Sequence, residues 1–397
     1  MVLLVRSTLQ RSLRRKQHFK QLPLLQEVIN AYQFVDLEDA YLICAQHLLK
    51  TSAILFYNLF QLGLKPHNFS VIGKCYSTDP SVYFELKNMQ QLDVCPTSLS
   101  FIADEPFDQE YTKNIRKFLK NRLKKILGSG CKKLIVVDDG GELIQAVNEE
   151  MSDEIASEKI QIVGVEQTSS GFVKLEKINI SFPVINIARS RLKLNLESVL
   201  IGDAIFKSIN LAMEAIKLKP KKILILGNGA IGSRVKEKLE LHYEVDSFDP
   251  NIDRSSISKF DQIDFTEYNL IIGCSGKEVI GSLEVNRLRD KTALVSGSSS
   301  DREFCAVNFR REFNKIVDCH EHLNIHGIYL INCGFPVNFS KDYHLVDDDR
   351  YQLTRALLLA GILQGYFQRD FTSKFIELDE NIQNLINDKF FDIYPTL

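Results

Sequence analysis

A strand that runs into G-x-G-x-x-G and then into a helix leaves a chain few folding choices, and residues 221–250 carry that pattern. Lys221 and Lys222 precede the apolar run Ile223-Leu224-Ile225-Leu226, and Gly227-Asn228-Gly229-Ala230-Ile231-Gly232 opens a helix. Val245-Asp246-Ser247-Phe248-Asp249-Pro250 then closes a second strand. The first glycine permits the tight turn, the second lets a pyrophosphate approach the backbone, and the third lets helix and strand pack closely. Free amides at the helix start, from Ala230 and Ile231 onward, face the phosphates. Asp249 stands where a carboxylate accepts hydrogen bonds from ribose hydroxyls and repels a 2′-phosphate, which points to NAD rather than NADP.

The rest of the chain has βα grammar. Phe69-Ser70-Val71-Ile72-Gly73 reads as a strand, and Lys133–Val137 runs into Asp138-Asp139-Gly140-Gly141-Glu142. Ile160–Val165 runs into Glu166-Gln167-Thr168-Ser169-Ser170-Gly171, and further strands are expected at Leu270–Ile272, Ala293–Val295 and Tyr329–Ile331. Residues 25–65 have helical spacing ending at Gly63 and Pro66, and residues 113–125 read as one basic amphipathic helix. A solvated face explains its charges.

Composition excludes several classes. The 397 residues hold 49 Lys and Arg against 51 Asp and Glu, a net charge of −2, so no excess charge draws the protein to nucleic acid or a membrane. Apolar runs such as 356–363 fall far short of the ~18 residues of a membrane span. Eight cysteines (Cys44, Cys75, Cys95, Cys131, Cys274, Cys305, Cys319 and Cys333) form no C-x-x-C pair and read as reduced thiols of a cytoplasmic protein. The first twenty-six residues lack acids and carry Arg6, Arg11, Arg14, Arg15, Lys16 and Lys20, read here as a basic first helix rather than a targeting segment. Cys319, His320, His322 and His326 invite a zinc reading, but no second ligand pair has finger-like spacing, and no metal is expected there.

The order Asp138-Asp139-Gly140-Gly141-Glu142, Gly164-Val165-Glu166-Gln167-Thr168-Ser169-Ser170-Gly171, Phe182-Pro183-Val184-Ile185-Asn186 and then the glycine motif resembles S-adenosylhomocysteine hydrolase. Leu22-Pro23-Leu24-Leu25 and Cys75-Tyr76-Ser77-Thr78-Asp79 agree, so the likeness spans most of the chain. The resemblance implies bound NAD that oxidises a ribose 3′-hydroxyl, elimination of a 5′ thiol, addition of water and return of the hydride. It implies Lys193 as the residue that helps remove the hydroxyl proton, Asp139 as acid/base near C4′ and C5′, and His47 as the group handling the leaving thiol or water. A packed helix histidine, an Asx-turn aspartate and a surface lysine are the plain alternatives for the three. Thr168, Ser169, Ser170, Cys274, Ser275 and Asn332 are implied NAD contacts beside the glycine motif.

Departures from that family pattern concentrate in the substrate half. Gln167 replaces a catalytic glutamate, and an amide neither takes nor releases a proton near neutral pH. Glu197 and Ser198 replace an Asp-Asn pair, Gly202 a cysteine and Ser299 a histidine; a histidine is missing after Asn332-Cys333-Gly334-Phe335-Pro336-Val337-Asn338, as is a Lys/Tyr tail at Ile393–Leu397.

The expectation is therefore an α/β protein: a Rossmann-type NAD-binding domain (196–339) inserted in a discontinuous α/β substrate domain (1–195, with a C-terminal helical segment in 340–397 returning to it). The expected function is NAD-dependent oxidation of an alcohol on a nucleoside-like or other small ligand, with impaired hydrolase chemistry, in a homodimer or homotetramer. A catalytically inactive NAD-binding homologue with a regulatory or partner-binding role, and a working adenosylhomocysteinase with substituted residues, are the alternatives.

Overall fold

The computed structural model describes residues 21–32, 34–89, 91–157, 160–313, 318–339, 349–368 and 374–395; the basic segment from Arg6 to Lys20 lies outside them. Thirteen strands form two sheets among the described residues. The first contains β1 (Ala40–Ala45), β2 (Phe69–Ile72), β3 (Asp93–Val94), β4 (Lys133–Asp138), β5 (Gln161–Glu166) and β6 (Val184–Asn186). The second contains β7 (Lys222–Leu226), β8 (Glu244–Phe248), β9 (Leu270–Gly273), β10 (Ala293–Ser296), β11 (Leu323–Ile325) and β12 (Ile328–Leu330). β13 (Phe375–Glu377) then returns to pair with β6 in the first sheet.

The first sheet has the order β13-β6-β5-β4-β1-β2-β3 and is parallel throughout. The second has the order β11-β12-β10-β9-β7-β8, and only β11 is antiparallel. Each reverses direction once, between β1 and β4 and between β7 and β9, because the chain builds outward first to one side and then to the other. Open parallel sheets take ligands outside the carboxyl ends of the strands at such a reversal. The second sheet is Rossmann-type, with only short 3₁₀ turns between β8 and β9 where a further strand would otherwise add.

Two sequence expectations are corrected. Residues 25–65 are not all helical, since β1 lies between helices Pro23–Ala31 and Lys50–Gln61. Every β1 residue is buried, so the run lacks the alternation that marks a half-exposed strand. The basic helix also divides, into Phe107–Lys120 and Leu123–Gly128, with Arg122 turning its guanidinium onto Asp93 at 2.7 Å.

Helix Gln352–Phe367 is buried almost all round, packing on β4, β5 and β6 after the chain has left the second sheet. Between the two sheets runs a seam. Tyr76 stacks on Phe335 with ring centroids 5.1 Å apart, and Phe107 meets both rings edge-on. Arg310, whose side chain is fully buried, binds Asp301 at 2.6 Å and the carbonyls of Ala103 (3.0 Å) and Glu105 (3.1 Å). Asp301 also accepts from Phe107 N. No helix of the described residues is long and apolar enough to cross a membrane.

Candidate active site

The carboxyl ends of both sheets open on one cleft of about 430 Å³. From the first sheet, His47 follows β1, Lys74 follows β2, Asp139 follows β4 and Gln167 follows β5. His47 and Asp139 thus flank the reversal between β1 and β4.

Asp138 and Asp139 divide the labour of the turn after β4. Asp138 Oδ2 accepts from Ile144 N at 2.8 Å and caps the helix that starts at Glu142. Asp139 faces the cleft. Both Asp139 oxygens are engaged: Lys74 Nζ donates to Oδ1 and, at 2.7 Å, to the Asp139 carbonyl, while Gln167 Nε2 donates to Oδ2. His47 Nε2 lies 3.2 Å from the same Oδ2. Despite desolvation, Lys74 and His47 hold the Asp139 carboxyl well below the usual carboxylate range.

His47 is partly buried, and its desolvation lowers its pKa below the ordinary 6.5 against the pull of Asp139. A neutral imidazole has one N–H, and an ionised carboxylate only accepts, so Nε2 carries the hydrogen. Nδ1 then accepts from the Ser77 hydroxyl at 2.5 Å. Ser77 itself is fully buried. The ring stacks on Phe339 at 4.8 Å. Both nitrogens of His47 and both oxygens of Asp139 are consumed by the protein's own partners.

Lys193 stands differently. The helix leading into Ser198–Ala215 widens into one π turn at Lys193–Glu197, a distortion that recurs at functional sites. It places Lys193 and Glu197 at the cleft, Nζ 2.5 Å from Oε2. Thr354 donates to Glu197 Oε1 at 2.7 Å.

Ala230, Ile231, Cys274, Ser275 and Ser299 line the cleft from the second sheet, facing Thr168, Ser169 and Ser170 from the first. The three glycines meet the three demands of their motif. Gly227 has φ +96°, and a Cβ there would lie 2.6 Å from Ser275 N. A Cβ on Gly232 would meet Gly227 O at 2.0 Å. On Gly229 it would meet nothing within 4 Å, so this face of the turn is clear for a ligand's phosphates. Asp249 adjoins the turn, taking Asn228 N at 2.8 Å and Asn251 N at 2.9 Å.

Asn332 lies behind the cleft rather than on its wall. It and Cys333 hold left-handed backbones (φ 50° and 52°) ahead of Gly334 (φ 90°). The Asn332 amide reaches the carbonyls of Pro336 and Phe339, both at 3.4 Å, and so shapes the loop whose Pro336, Asn338 and Phe339 line the cleft. Non-glycine residues in this region cost about 1–3 kcal/mol each and collect at functional sites. Gly202 is 2.7 Å by its missing Cβ from Arg234, so helix packing excludes a larger side chain there.

Three residues escape sequence reasoning. Lys74 belongs to no motif. Arg355, on the buried Gln352–Phe367 helix, brings a guanidinium to the cleft and binds Thr51 Oγ1 at 3.2 Å. Glu303, wholly buried, accepts from Gly276 N (2.6 Å), Ser275 Oγ (3.0 Å) and Ser298 Oγ, tying together the loops after β9 and β10.

No family model matches the chain. Uncharacterized proteins from two strains of Mycobacterium tuberculosis are each 36% identical over 337 residues, covering 83% of this chain and 64% of their own length. The chain thus spans less than two thirds of these relatives. Among solved structures, a dipicolinate synthase chain from Bacillus halodurans is 10% identical with TM-score 0.36, over 81% of this chain and 99% of that one. Glutamate dehydrogenase of Plasmodium falciparum is 13% identical with TM-score 0.26, over 77% of this chain and 60% of that one. Likeness at this level carries no assignment, and the fold rests on the sheet topology above.

Proposed function

We propose that this protein is an NAD-dependent oxidoreductase of the S-adenosylhomocysteine hydrolase type that oxidises an alcohol on a nucleoside-like or other small ligand and lacks efficient hydrolysis. The observation that carries the reading is the unequal state of the two halves of the cleft. Asp139 and His47, which elimination and hydration would need as proton carriers, are saturated by Lys74, Gln167 and Ser77. Lys193, ion-paired with Glu197 as its proton acceptor, lines the same cleft with the serine run, and the Gly229 turn beside it is open.

NAD, when bound, supplies the acceptor for the hydride. The residues fit it: the clear face at Gly229 and the amides opening the Ala230–Leu239 helix suit a pyrophosphate, and Asp249 suits a ribose diol. Lys193 Nζ would take the alcohol proton as that amine yields one of its own to Glu197, a net transfer of one proton to the carboxylate. Asp139, Lys74 and Gln167 act as a fixed, internally neutral wall that orients the ligand. Gln167 Oε1, buried without a donor among the described residues, is an acceptor for a ligand hydroxyl.

A nucleoside panel tests this. Purified protein mixed with NAD and adenosine should develop the absorbance of reduced nicotinamide, Lys193→Met should abolish it with cofactor still bound, and S-adenosylhomocysteine should release little homocysteine. Homocysteine release at the pace of the redox step refutes the impaired-hydrolase part. No absorbance change across the panel, with NAD bound, favours a regulatory or partner-binding homologue, which the saturated Asp139 serves equally well. The resemblance also carries a homodimer or homotetramer, which light scattering decides.

A further inference from the structure

The zinc reading of residues 319–326 lacked a second ligand group; the fold adds Asp318 to Cys319 and His320 and brings a further thiol toward them from the other sheet. Cys75 begins the short turn after β2 that carries Ser77, the partner of His47. Its thiol approaches the Cys319 sulfur, and both it and the His320 side chain favour that sulfur as a thiolate. Asp318, Cys319 and His320 each offer one ligand atom, all within 4.8 Å of one another. Cys75, Cys319 and His320 are 5%, 8% and 7% exposed, so the cluster is shielded from bulk water. Cys333 donates from its sulfur to the Asp318 carbonyl at 3.4 Å and steadies the loop. The other histidines go elsewhere: His322 Nδ1 accepts from Asn332 N at 3.3 Å, and exposed His326 pairs with Glu312 at 2.7 Å.

We propose that Asp318, Cys319 and His320 hold a structural zinc ion and that Cys75, drawn in from the other sheet as the fourth ligand when the metal binds, ties the two sheets together beneath the cleft. Two sulfurs, an imidazole and a carboxylate oxygen are zinc's ordinary donors, and four protein ligands make a closed structural site rather than a catalytic one. Thiolates select thiophilic metals over magnesium or calcium. Both sulfurs bind as thiolates, so metal uptake displaces to solvent whatever thiol protons they still carry, with no change of oxidation state. The ligands come from the loop that positions Ser77 and from the segment leading to the Asn332 loop. The ion would therefore fix the separation of the proton-handling and cofactor-facing halves.

The test uses the full chain and neither NAD nor substrate, so its failure is separate from failure of the oxidoreductase reading. Protein expressed in zinc-supplemented medium and dialysed without chelator should retain one zinc ion per chain by mass spectrometry of the metal. Cys319→Ser and Cys75→Ser should each lose it. Should these variants fail to fold, cobalt(II) added to zinc-stripped wild type gives the same answer, through an intense thiolate-to-cobalt band and protection of Cys75 and Cys319 from alkylation. Substoichiometric zinc with no cobalt–thiolate band overturns the proposal. So does a Cys75–Cys319 disulfide in protein purified without reductant that persists when zinc is supplied under reduction.

Discussion

Lys74 Nζ spans both the side chain and the main-chain carbonyl of Asp139, so one buried ammonium fixes the charge and the orientation of the carboxylate that His47 faces. Burial drives most charged groups toward neutrality; here the pair keeps its charges because each partner stabilises the other.

Removing that cation leaves a buried carboxylate whose remaining candidate counter-ion is the His47 imidazole. Lys74→Met should cost about 3–5 kcal/mol of stability in urea denaturation. It should also raise the His47 pKa, which Lys74 helps to lower, so that the imidazole protonates nearer to or above its ordinary 6.5. An NMR titration of the imidazole hydrogens checks this, and an unchanged midpoint would refute the electrostatic role given to Lys74.

The stability of the fold should decline as pH rises through the window set by Asp138. Burial and nearby Glu142 push its carboxyl from 3.8 up to about 7, so between those values the folded state holds a proton that the unfolded chain has released. Its contribution is complete at the acid end and lost toward neutrality. Glu166, opposite Asp138 across β4 and β5 and also raised, adds to the slope. Asp139 runs the other way, stabilising above the normal carboxylate range and losing that contribution in acid. Asp138→Asn, which keeps an acceptor for Ile144 N, should flatten the decline in thermal midpoint while leaving the acid limb in place.

The glycine turn separates fold from ligand cleanly. Gly232→Ala forces a methyl into Gly227 O and should destabilise by about 1–3 kcal/mol. Gly229→Ala meets no protein atom, so its melting temperature should match wild type while NAD affinity falls. Equal affinity for the Gly229→Ala protein in calorimetry would remove the pyrophosphate from this turn.

Asp249→Ala should weaken NAD binding by about tenfold or more, the order expected for lost hydrogen bonds to a charged acceptor. NADP should be affected less, since the same change removes the repulsion of its extra phosphate. A variant that binds both as wild type does would end the ribose assignment.

The second sheet was legible because its chemistry is local: strand, glycine turn, helix and acidic strand end lie within residues 221–250. β1 was not, because a six-residue run buried on both faces carries no period, although it is the strand that brings His47 to the cleft. Asp139 could be read from the motif around it, but its saturation could not, since Lys74 lies far away in sequence and a lone lysine after a strand is no signal. The same distance hid Cys75 from the Cys319–His320 pair. Residues 113–125 deceived for a physical reason as well: their apolar spacing is helical throughout, and the break falls beside Arg122, whose partner Asp93 lies on another strand.

Arg310 grips the segment before Phe107 through the carbonyls of Ala103 and Glu105, not through their side chains. What is recognised there is the path of the main chain. Residues 103–105 can therefore change identity without loosening the seam, whereas Arg310 and Asp301 cannot, and a lysine, lacking the planar fork, could not span the same acceptors. Beside the packed rings of Tyr76, Phe107 and Phe335, the alignment of the two sheets thus draws on a side chain that reads a backbone.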